Sequence, residues 1–72
     1  MKKRLYNRIK AVLAEQEKTG IWLAKKLGRA NSTVSKWCSN SQQPEVPTLF
    51  EIADALNVEV SELLVSNKKK KD

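Results

Sequence analysis

Apolar residues in this chain come in small clusters at three- and four-residue spacing, and no purely apolar run exceeds four residues. Leu5, Ile9, Val12 and Leu13 form one stripe; Leu23, Ala24 and Leu27 a second; Val34, Trp37 and Cys38 a third; Leu49, Ile52, Ala53 and Leu56 a fourth. That period belongs to short amphipathic helices, and no alternation with period two lasts long enough to argue a strand. The spacing predicts helix 1 over 4–17, with Arg4, Arg8 and Glu15 on its opposite face. Helix 2 is predicted over 20–27, with Thr19 as N-cap and Gly28 as the left-handed stop. Helix 3 is predicted over 31–39, ending near Asn40, and helix 4 over 46–56, with Pro47 in its first turn and Asn57 after its last. "VSELL" adds a final turn or two that brings Leu63 and Leu64 back toward the core. The fold class is all-α: a compact bundle of five short helices in one domain over 1–66, with a basic flexible tail over 67–72.

A chain of 72 residues buries only about 60% of the surface its unfolded form exposes, so this core is spare. Cys38 is the single cysteine and there is no histidine, which leaves disulfides and structural metal out of the expected design and points to a reducing cytoplasm. No run is long enough for a membrane span or for the apolar middle of a signal peptide behind "MKKR", and the mature protein is expected to be the chain as written. Charge is unevenly spread: residues 1–40 carry ten Lys or Arg against two Glu, residues 41–67 carry five acids and no base, and the end carries four lysines and Asp72. A basic half of this kind suits a polyanion.

Two short helices joined by "LGRAN" form a helix-turn-helix pattern, whose second helix can enter the DNA major groove. "WLAKKLGRANSTVSKW", then Pro44, then "LFEIADALNVEVSELL", resembles the Cro/CI-type (XRE) helix-turn-helix family of phage and bacterial regulators. The resemblance covers roughly residues 5–65 and rests on Leu23-Ala24, Leu27-Gly28, Val34-Ser35-Lys36-Trp37, Pro44, Ile52-Ala53 and Leu56 in order. It implies a lambda-repressor-like bundle, double-stranded DNA as partner, and a homodimer on a roughly palindromic site. There are departures. The family often has Gln at the start of helix 2, touching a phosphate and bracing helix 3, where this chain has Gly20. Ala30 stands where the family favours a Ser or Thr cap, which makes Asn31 the candidate cap. Cys38 and Asn40 replace the common Glu and Gly.

With Val34 and Trp37 turned inward, the outward side of helix 3 holds Asn31, Ser32, Ser35 and Lys36, with Thr33 at the flank. These match the family positions that meet bases: Asn can pair with adenine, Lys donates to guanine, and hydroxyls reach either bases or phosphates. The structural alternative is a merely solvated polar face. By motif position, Thr19, Arg29, Ser39, Asn40, Ser41, Gln42 and Gln43 are the phosphate candidates. Lys25 and Lys26 are equally well read as ordinary surface lysines. Trp22 turns toward the surface and is expected to cover the flank between helices 1 and 2; Tyr6 and Phe50 are expected to pack. Leu63, Leu64 and Val65 fit either core closure or pairing of two subunits. No catalytic constellation, cofactor motif, metal cluster or small-molecule site is visible, so the chain is read as no enzyme. The favoured function is a sequence-specific DNA-binding repressor. The alternative is a small helical protein-interaction module, antitoxin-like or an accessory factor, which a large apolar patch around Trp22 and Phe50 would favour.

Overall fold

The computed structural model describes residues 4–67. It contains α1 (Ile9–Glu15), α2 (Gly20–Leu27), α3 (Asn31–Cys38) and α4 (Val46–Leu56), followed by a single 3-10 turn over Val60–Leu63. The fifth helix of the predicted bundle is therefore that one turn. Glu59 and Glu62 close it as a reciprocal capping box. Nearly all of the lysine tail, and the N-terminal Lys2 and Lys3, lie outside the described residues. Among the described residues, no helix is long and apolar enough to cross a membrane.

All four α-helices end in the same way. Within two residues of each helix end the chain enters the left-handed region, at Glu17 (φ 57°), Gly28 (φ 68°), Asn40 (φ 62°) and Asn57 (φ 57°). In each case the next N–H reaches back to a carbonyl five residues earlier: Lys18 to Leu13, Arg29 to Ala24, Ser41 to Lys36 and Val58 to Ala53. This is the Schellman ending, which satisfies carbonyls that lack helical partners. Gly and Asn suit the conformation, and those three stops match the sequence expectation. Glu17 does not advertise itself, because a glutamate in the left-handed region carries a steric cost.

Helix α1 begins five residues later than predicted. Residues before it are extended and pair with the segment after the 3-10 turn: Arg8 donates to the Leu63 carbonyl, Val65 donates to the Tyr6 carbonyl, and Asn7 forms an isolated antiparallel bridge with Leu64. The Asn7 side chain also accepts from the Ile9 N–H at 3.0 Å, which offers the backbone a local alternative to another helical turn. Leu5 therefore leaves the predicted stripe and is 58% exposed, and Leu64 points outward while Leu63 alone is fully buried.

The core comprises Ile9, Val12 and Leu13 of α1, Leu23 and Ala24 of α2, Val34 and Trp37 of α3, Leu49, Ile52, Ala53 and Leu56 of α4, and Leu63. Helix α2 packs against both α3 and α4, and α1 touches α3 and the 3-10 turn. Gln16 ties the end of α1 to the end of α4 by donating to the Leu56 carbonyl at 2.8 Å. Trp22 is half-buried against this core, as its flank position suggested, and Lys18 lies over its ring at 4.4 Å. Tyr6 and Phe50 depart from expectation: both are more than half exposed, Tyr6 because the N-terminal segment is extended and Phe50 because it lies on the outer stripe of α4.

Candidate nucleic-acid interface

Helix α3 is eight residues of mostly polar side chains, "NSTVSKWC". Its two large apolar residues, Val34 and Trp37, are three apart and fall on one side, and both are buried. That anchoring turns Asn31, Ser32, Ser35 and Lys36 to the exposed side, with Thr33 half-buried at the edge. No hydrogen bond among the described residues occupies any of these five side chains. Ala30 is the N-cap, extended at φ −69° and ψ 145°, and supplies no side-chain cap. Asn31 is the first helical residue and does not cap, contrary to the expectation, so its amide stays available at the helix surface.

The exposed side of α3 borders a groove of about 650 Å³ between α1, α2 and α3. Leu13, Ala14, Ile21 and Cys38 make it apolar, while Asn31, Ser35, Thr19, Lys10 and Lys18 bring polar and cationic groups to it. Gly20 contributes to the opening: a Cβ there would meet Val34 Cγ1 at 3.7 Å, an ordinary contact, so a side chain would fit where this chain has none. Helix α2 starts at this groove, and Thr19 Oγ1 accepts from the Trp22 N–H at 3.0 Å. The hydroxyl proton of Thr19 and the N–H groups of Gly20 and Ile21 remain for a partner outside the helix. Burial pushes the Cys38 thiol above its ordinary pKa, with Lys10 opposing the shift, so the sulfur stays protonated at neutral pH and is not a thiolate nucleophile.

Other residues named as phosphate candidates make contacts within the protein, although only Asn40 among them is buried. Asn40 is buried; its Oδ1 accepts from the N–H groups of Tyr6 and Asn7 at 2.9 and 3.0 Å, and its Nδ2 donates to the Asn7 carbonyl. Asn7 reciprocates by donating to the Trp37 carbonyl and to Gln43 Oε1. Gln43 donates back to Asn40. This three-amide network fastens the end of α3 to the N-terminal segment. Ser39 and Ser41 fold back toward the Lys36 carbonyl at 3.2 and 3.3 Å. Arg29 spans the turn: its guanidinium lies 5.8 Å from the Trp37 ring and within 3.4 Å of Thr48 Oγ1 and Glu51 Oε1. It is placed as a brace between α3 and α4. Of the seven candidates, Thr19, Arg29 and Gln42 present exposed side chains with donor capacity to spare, Arg29 through the guanidinium nitrogens other than Nη2.

Sequence reasoning missed Lys10 and Lys18 as members of this surface. Lys10 lies on the outer side of α1 and Lys18 just beyond its end. Only the packing of α1 against α3 brings them beside the exposed side of α3, and no local motif signals it.

Comparison with known proteins agrees with this geometry. A family model described as helix-turn-helix matches residues 9–63. Among solved structures, the chain is similar to the crystal structure of a candidate DNA-binding protein from Bacteroides fragilis, at 44% identity and a TM-score of 0.83, covering 86% of this chain and 100% of that one. No curated protein matches the chain.

Proposed function

The chain belongs to the XRE-type helix-turn-helix family, and on that footing we propose that it is a sequence-specific double-stranded DNA-binding regulator that represses transcription by occupying promoter DNA. The observation that carries this reading is the division of α3: buried Val34 and Trp37 on one side, and on the other a face of small polar side chains and Lys36 with no internal partners. Buried anchors fix the helix, and a face without bulky groups allows close approach to base edges.

In this reading α3 lies in the major groove. Asn31, Ser32, Ser35 and Lys36, with Thr33 at the edge, meet bases. Lys36 is the residue expected to carry most discrimination, as a donor to guanine O6 and N7. The groove beside α3 receives one sugar-phosphate strand, whose sugar edges suit its apolar floor and whose charge suits Lys10, Lys18, the Thr19 hydroxyl and the first N–H groups of α2. Gln42 adds a neutral donor beyond the far end of α3. Arg29 acts indirectly, by holding α3 against α4. The protein acts as a homodimer, through the exposed Leu64 and Val65 beside Leu5, with two copies of α3 about 34 Å apart on a palindromic site.

Selection from a random duplex library at physiological salt, run in parallel with Lys36→Ala, tests the proposal. The expected result is an enriched palindrome that loses definition at one position per half-site in the variant, with affinity falling by about four decades between 50 and 200 mM salt if roughly eight phosphates are neutralised. Salt-sensitive retention without enrichment would reduce the chain to a polycation without readout.

A further inference from the structure

The DNA reading leaves the outer face of α4 unused. We propose that this face docks a basic protein segment that carries an apolar side chain. Val46, Phe50 and Asp54 follow one another at four-residue spacing, and Pro47 and Glu51 run beside them; all five are exposed, whereas Thr48, Leu49, Ile52, Ala53 and Leu56 are buried. Val46 is 63% and Phe50 56% exposed. The stripe is apolar at its N-terminal half and acidic toward its C-terminal half.

Charge selects the occupant. Residues 41–67 hold Glu45, Glu51, Asp54, Glu59 and Glu62 and no base. Arg29 pairs with Glu51, while no ion pair among the described residues takes Glu45 or Asp54. Phosphate of DNA and the surface of an anionic membrane are both repelled by such a face. Two copies related by a two-fold axis would bring like charges together across it, so self-pairing through α4 is opposed as well. A cationic partner is attracted, its apolar side chain can cover Val46 and Phe50, and the Phe50 ring adds a cation–π site for Lys or Arg.

The test is an amide-resolved NMR titration of the full chain with a short synthetic Leu/Lys amphipathic peptide, with a Leu/Glu peptide as control. No DNA is present, so failure of this inference and failure of the DNA reading are separable. Expected are saturable shifts centred on Val46, Phe50 and Asp54 with the Lys peptide alone. Affinity should weaken about tenfold in Phe50→Ser and about threefold at low salt in Asp54→Lys. Because both residues are exposed, an unchanged spectrum away from α4 verifies that each variant is folded. Shifts centred elsewhere, equal affinity in Phe50→Ser, or shifts that track protein concentration without peptide, the mark of a second copy, would each overturn the proposal.

Discussion

Helices α2 and α3 are each eight residues long and pack against one another, yet they are held in different ways. Helix α2 carries its own boundaries: Thr19 caps its first turn, Gly28 turns its end, and Lys25 and Lys26 in the last turn complement the helix dipole. Helix α3 has no side-chain cap at Ala30. Its support comes from other parts of the chain: Arg29 over the Trp37 ring, and Asn7, Asn40 and Gln43 around its last turn. The contrast shows how an exposed polar helix can be both fixed and free. Stabilising α3 from its back and its end leaves the whole exposed side uncommitted, whereas a side-chain cap at its start would occupy a polar group on the surface proposed to meet DNA.

Trp37→Ala offers the harshest test of that contrast. Removing the largest anchor of α3 should cost about 3–5 kcal/mol, a large share of what a small domain has, and urea denaturation followed by circular dichroism should find it mostly unfolded or strongly destabilised. A loss below about 1 kcal/mol would mean that α3 does not depend on its back face. Asn40→Gly is more selective, because glycine keeps the left-handed turn while the amide disappears. The N–H groups of Tyr6 and Asn7 lose their acceptor, and stability should drop by about 2 kcal/mol at both low and high salt. A salt-dependent loss would reveal an electrostatic role instead. Smallest is the pair Thr19→Ala and Ala30→Ser. The first should cost about 1 kcal/mol by uncapping α2, and the second should add about 0.5–1 kcal/mol by capping α3, both read from urea midpoints. If Ala30→Ser stabilises the fold and also weakens DNA binding, the value of an uncapped start to α3 is sharpened.

Much of the fold was legible because its signals are local. The bounds of α2 and α4 match the expectation, since Thr19, Gly28, Pro47 and Asn57 act within a turn of where they stand. The start of α1 differs from the periodicity because Leu5 continues the apolar stripe, while the competing pairing lies with Leu63 to Val65, more than fifty residues away. The "VSELL" segment forms the shorter of the one or two turns it predicts, because the chain then returns to pair with Tyr6. At the candidate site, the exposed side of α3 followed from the positions of Val34 and Trp37. The flanking residues were less readable. A polar residue beside α3 looks the same in sequence whether it stays uncommitted or, like Asn40 and Gln43, is taken up in hydrogen bonds within the protein, and the difference depends on partners some thirty-five residues distant.

By itself the sequence determined that this chain makes short helices, where most of them stop, which side of each is apolar, and that its basic and acidic halves are separate, because period, caps and charge act through neighbours in the chain. Tertiary structure alone decided that Arg29 lies beside Trp37, Thr48 and Glu51, that Lys10 and Lys18 stand beside α3, and that Phe50 faces outward. Those outcomes depend on which distant groups satisfy a hydrogen bond or cover a ring, and that competition is resolved only when the helices pack.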